Sequence, residues 1–164
     1  GVAMIRFVVG LAVVAFTTVC GNFLSGKYKK RKRLFQEASS FNEGFLEEIV
    51  YTKRPFEEFC QKRIKFGDFS DLLVEELTRR KKRRTTPLDL SEYTFLLPDE
   101  KRFFSEYFSA FGRGDSLSQK GYFTQAGNHL QALKQKAEDE CKKYVELYTK
   151  MGFLCGLAIL IILI

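Results

Sequence analysis

Apolar and polar positions divide this chain into three stretches. No residue from Phe7 to Gly26 is charged, and Met151 to Ile164 is again apolar. Every charged side chain except Arg6 lies between them. A run of about 20 uncharged residues can cross a hydrocarbon core of roughly 30 Å as a helix. Phe7–Gly26 therefore predicts a first membrane span. Met151–Ile164 would rise only about 21 Å, so it spans only with help from Val145–Lys150, with Lys150 reaching back to the headgroups. Gly152 and Gly156 form a G-x-x-x-G spacing, which lets another backbone approach one helix face. The first span offers Gly10, Ala12 and Ala15 as its counterparts.

Between the spans the pattern is helical almost throughout. Leu34, Ala38, Phe41, Phe45 and Ile49 recur at threes and fours, predicting one helix that leaves the membrane and runs to about Thr52. Pro55 ends it and opens a short helix with Phe56, Phe59, Cys60 and Ile64 inward, closed by Gly67. Asp68 or Ser70 can cap a third helix carrying Phe69, Leu72, Leu73 and Leu77. Arg79–Thr86 reads as an exposed linker within a basic loop of about 79–98. Pro98-Asp99-Glu100 opens a helix with Phe103, Phe104, Tyr107, Phe108 and Phe111 on one face, stopped by Gly112. After a turn, Phe123, Ala126, Leu130, Leu133, Ala137, Cys141, Tyr144 and Tyr148 continue the alternation, and no proline interrupts Leu117–Ile164. The expected fold is all-α. It is an antiparallel helical bundle with an N-terminal transmembrane helix (1–26), a cytoplasmic body (27–149) and a short C-terminal membrane helix (150–164).

Composition agrees with one compact domain beside membrane segments: 164 residues, 45% hydrophobic, 17 Phe and no Trp. The formal charge of +7 comes mostly from two runs, Lys27–Arg33 and Arg79–Arg84. Because the first run abuts an apolar segment, Lys27, Lys29, Lys30, Arg31, Lys32 and Arg33 are expected at the membrane surface. Basic residues flanking a span stay on the cytoplasmic side. The first span then reads as a retained anchor rather than a cleaved signal peptide, with the N-terminus outside. The second run is a solvated loop or a contact for anionic lipid or an acidic partner. Nucleic acid is not expected, because no interleaved aromatic or base-reading pattern accompanies it. Cys20, Cys60, Cys141 and Cys155 share no metal or redox spacing and read as buried thiols in a reducing compartment.

The sequence holds no phosphate loop, no H-E-x-x-H and no Cys or Ser paired with a plausible base. His129, the only histidine, reads as a surface or satisfied side chain. Glu47-Glu48 and Asp139-Glu140 read as solvated faces, and Arg113-Gly114-Asp115 as a coincidental tripeptide. No enzyme activity, metal or cofactor is expected.

Four local patterns occur in order: Leu46-Glu47-Glu48-Ile49-Val50-Tyr51 before Pro55-Phe56, the turn Phe111–Gln119, the region around His129-Leu130, and Lys150–Leu157 with its closing glycines. Together they resemble the stage III sporulation protein AB family. Their order and spacing match nearly the whole chain, with Gly114 standing where the family usually has serine. The resemblance implies a helical body similar to the cytoplasmic domains of type II secretion and type IV pilus platform proteins. It implies a place in the channel complex joining mother cell and forespore during engulfment, in the mother-cell-derived membrane around the forespore. A secretion-type ATPase and ring-forming channel proteins are the implied partners, with a homo-oligomer possible. Gly112, Asp115 and Gln119 are the candidate partner-binding residues, because loops on a rigid bundle are where partners bind. The alternative is that Gly112 and Asp115 only end one helix and cap the next. Two other readings stay open: a coiled-coil tether using residues 117–150, and a basic regulator binding lipid or nucleic acid through Arg79–Arg84.

Overall fold

The computed structural model describes residues 1–51, 55–64, 67–83 and 86–163. Thr52, Arg84 and Ile164, which the sequence places at the end of a helix, of a basic run and of the second apolar stretch, lie outside the described residues. Among those described, the regular structure is all helical: α1 Val2–Leu24, α2 Gly26–Tyr51, α3 Phe56–Arg63, α4 Asp68–Lys81, α5 Pro98–Ala110 and α6 Ser116–Leu163. The helix expected to run from the first span into the body is divided into α1 and α2 only at Ser25, and the ladder continues across it: the Ser25 N–H bonds the Gly21 carbonyl and the Lys29 N–H bonds the carbonyl of Ser25. The Ser25 hydroxyl bonds back to the Asn22 carbonyl at 2.6 Å, a local bond that competes with the helical ladder.

Two compact units result, Gly1–Lys30 with Lys136–Ile164, and Arg31–Gln135. In the first, α1 and the end of α6 form an antiparallel pair. Two helices here are long and apolar enough to cross a membrane. Phe7, Leu11, Phe16, Val19, Phe23, Phe153, Leu154 and Ile161 are all exposed. An apolar helix buried in a soluble core would hide such side chains. These leave a lipid-compatible surface instead.

The second unit is a bundle cored by phenylalanine. Phe45, Phe56, Phe111 and Phe123 converge, with ring centroids 4.0 Å apart for Phe56–Phe111 and 4.4 Å for Phe111–Phe123. Stacked and edge-on pairs at such distances add to the burial of large apolar surfaces. The stretch expected to be a basic loop also joins this core, since Leu88, Leu90 and Leu96 are buried. Pro98 stands at the first position of α5, and the Glu100 carboxylate accepts the Leu97 backbone N–H at 2.9 Å, the reach-back half of a capping box.

The start of α4 departs from expectation. Neither Asp68 nor Ser70 caps it; Gly67 occupies the N-cap without a side-chain hydrogen bond. The Glu37 carboxylate of α2 stands at this helix start, where the nearby Phe69 backbone N–H partly offsets the effect of its burial. Gly67 has φ +145°, and a Cβ built there would lie 2.7 Å from Glu37 Oε1. The positive φ is what favours glycine, since the flexible end of Glu37 could move away from a Cβ.

Candidate functional site

Glu76 is fully buried, on the same face of α4 as Leu72, Leu73 and Leu77. One turn later come Arg79 and Arg80. Arg79 donates Nε to Glu76 Oε2 and a terminal nitrogen to Oε1, both at 2.8 Å. Arg80 donates Nε to Oε1 at 2.6 Å. A terminal nitrogen of Arg80 then reaches the carbonyls of Phe108 and Phe111, each at 3.0 Å. The last carbonyls of a helix lack intrahelical partners and carry partial negative charge, so Arg80 caps the end of α5. Its guanidinium also lies 4.8 Å from the Phe56 ring centroid. The expectation that Arg79–Thr86 is an exposed linker is therefore corrected at its start. Arg79 and Arg80 belong to α4 and are recruited by a buried carboxylate, whereas Lys81, Lys82 and Arg83 are exposed.

The turn after α5 brings the three candidate partner-binding residues close in sequence and space. Gly112 and Gly114 have φ +77° and +79°, which glycine adopts without steric cost. Asp115 caps α6: its Oδ1 accepts the Ser118 backbone N–H at 3.0 Å. Hydrogen bonds from the Ser118 side chain and backbone hold its carboxyl below the usual range. The Gln119 N–H bonds the Asp115 carbonyl, and the Gln119 side chain is half-buried. Gly112 thus shapes the turn and Asp115 caps α6, while both remain exposed. Beside them lies an open groove of about 430 Å³, lined by Arg79, Arg80, Ser105, Glu106, Ser109 and Arg113.

A second buried ion pair corrects the membrane-surface assignment of one residue. Arg31 donates Nε to both Glu100 oxygens at 3.1 Å and a terminal nitrogen to Oε1 at 2.5 Å. Their side chains are 5% and 3% exposed. Arg31 therefore belongs to the core. Lys27, Lys29, Lys30 and Arg33 are exposed and Lys32 is half-buried. A third polar core feature is Asn42, whose Oδ1 accepts the Tyr107 hydroxyl and whose amide donates to the Phe123 carbonyl, both at 3.0 Å. A Cβ at Gly127 would lie 2.7 Å from that amide nitrogen, so this glycine admits the asparagine to the α6 backbone. Burial drives the Tyr107 hydroxyl well above its ordinary pKa and pushes the Cys60 thiol up to about 12.

In the membrane-compatible unit, Gly152 and Gly156 face α1. Built Cβ atoms would lie 2.6 Å from the Thr17 carbonyl oxygen and 2.7 Å from Val14 Cα, respectively. A Cβ at Gly21 would meet the Tyr148 carbonyl, and one at Gly10 the Leu160 side chain. The contact face of α1 is thus Gly10, Val14, Thr17 and Gly21. Ala12 and Ala15, expected there, point outward and are exposed, since helical spacing puts them off that stripe.

Sequence reasoning missed Glu76, Arg80, the Arg31–Glu100 pair and Asn42. One signal could have found the acids and Arg31: each lies three or four residues from the phenylalanines and leucines of its helix's apolar stripe. Among the described residues, no group of three or more His, Cys, Asp or Glu could hold a metal ion. His129 is exposed, 4.8 Å from the Phe103 ring.

Comparison with curated proteins and with solved structures returns no match. The model of the family described as stage III sporulation protein AB matches residues 6–164. With that match covering nearly the whole chain, this protein belongs to the stage III sporulation protein AB family.

Proposed function

We propose that this sporulation protein is a non-catalytic membrane platform. Its α1–α6 helix pair sits in the membrane, and its helical body faces the cytoplasm and docks a secretion-type ATPase of the engulfment channel complex. The observation that carries the reading is the pairing of two exposed apolar helices through glycine contacts with a body whose polar groups are spent on structure. Glu100 with Arg31, and Asn42, hold helices together, Glu76 positions Arg80 against the end of α5, and the exposed turn at Gly112–Ser118 is what the body offers to a partner.

The tether reading is weakened because Phe123, Ala126, Leu130, Ala137 and Cys141 are buried within the chain itself. The regulator reading is weakened because Arg79 and Arg80 belong to α4 and are anchored by Glu76, so Arg79–Arg84 is not one free basic run.

The test is co-purification of the full chain, in detergent, with the secretion-type ATPase of the same organism. The Asp115→Asn, Gln119→Ala variant keeps an N-cap acceptor and so leaves the fold intact. Binding by the wild type that the variant lacks is expected. Absence of binding by the folded wild type at low salt would refute the docking.

A further inference from the structure

The groove beside the α5–α6 turn is an electrostatic device that the platform reading leaves unused. Glu76 is shared by two guanidiniums, so its single charge leaves one positive charge over. Arg113 adds another at the same groove, and Glu106 offsets one. Lys81, Lys82 and Arg83 follow directly and are exposed, extending the positive field. The negative end of α5 would ordinarily oppose an anion here. Arg80 occupies the Phe108 and Phe111 carbonyls, which removes that opposition.

The guanidiniums are also held in place. Arg79 makes two bonds to Glu76 and a third to the Thr86 carbonyl at 2.7 Å. A ligand that finds its donors already ordered loses less entropy on binding.

We propose that this groove binds an acidic segment of a partner protein, with a carboxylate entering beside Arg79, Arg80 and Arg113. The inference rests on the reading that the body docks a protein, and it names the chemistry of the contact. A carboxylate fits better than a phosphate because Glu106 lies among the lining residues and repels a dianion more than a monoanion. A volume of about 430 Å³ admits one or two side chains. Nucleic acid would instead require an extended row of backbone contacts.

The experiment uses the full chain in phosphatidylcholine nanodiscs, whose lipid carries no net charge, and a fluorescein-labelled decaglutamate peptide followed by anisotropy at low salt. Saturable binding is expected, weakened about fivefold or more by Arg113→Glu and strengthened by Glu106→Gln. Lys62→Glu, at an exposed position of α3 outside the groove, should leave it unchanged. No saturable binding, or equal loss in Lys62→Glu, would overturn the proposal. Stronger competition by polyphosphate than by unlabelled decaglutamate would do the same, assigning the groove to phosphate. If decaglutamate binds but the ATPase does not co-purify, the platform reading falls and the groove stands. If the ATPase binds equally well to Arg113→Glu, the groove falls and the platform stands.

Discussion

Replacing Arg31 with methionine tests whether that residue serves the core or the membrane surface. The substitution keeps an apolar stem of similar length and deletes the charge. Glu100 would keep its bond from the Leu97 N–H but lose three contacts from the guanidinium. With the pair only 5% and 3% exposed, water cannot replace them. Breaking a buried pair from one side costs about 3–5 kcal/mol, because a desolvated charge is left behind. Arg31→Met/Glu100→Gln should cost less, about 1–2 kcal/mol, since the neutral amide can still accept from Leu97 and no charge is stranded. The assay is urea unfolding of the full chain in a mild detergent, followed by near-ultraviolet circular dichroism of the aromatic core. Lys30→Met, exposed one residue earlier, is the control and should lie within about 0.5 kcal/mol of wild type. If Arg31→Met resembles Lys30→Met, or the double variant is less stable than the single, the buried-pair reasoning is wrong.

Four further outcomes follow from local packing and burial. Gly121, with nothing within 4 Å of a built Cβ, should gain about 0.5–1 kcal/mol as alanine. Gly127→Ala in the same helix should lose about 1 kcal/mol by displacing Asn42 from the Phe123 carbonyl; thermal melts that rank the two alike would contradict this. Gly152→Ile should cost about 1–3 kcal/mol by forcing α1 and α6 apart, with Gly26→Ala as the neutral control, and equal melting temperatures would count against the close approach. Burial raises the Glu37 carboxyl pKa despite the Phe69 N–H and Arg33. The folded state therefore holds that proton more tightly, and the stability it confers is present at low pH and lost as pH rises through the folded pKa. Glu37→Gln should then match or exceed wild type at pH 7 and flatten the pH profile, whereas a less stable variant at pH 7 would reverse the sign.

The apolar stripes made the helices legible. Leu34, Ala38, Phe41 and Phe45 predict α2, and Phe104, Tyr107 and Phe108 predict α5, because helical spacing and core burial are one constraint. The buried charges were hidden because composition treats Arg31 as one of a cationic run and Arg79 as the start of another. Charge counting has no knowledge of which way a helix faces. Glu100 lies 69 residues from Arg31, so their partnership is tertiary and no local pattern announces it. The same holds for Glu37, which stands at the start of another helix. The end of α5 and the cap of α6 were readable from Gly112 and Asp115, since turn chemistry is local.

That separation of 69 residues has a consequence in time. While the chain is being made, Arg31 emerges with Lys27, Lys29, Lys30, Lys32 and Arg33. It is then one of the basic charges that flank the first apolar helix. At about 5–20 residues per second, Glu100 arrives some seconds later and withdraws Arg31 from that flank. One side chain is thus first a flanking charge of the newborn helix and afterwards part of the finished interior, with the order of synthesis separating the two states.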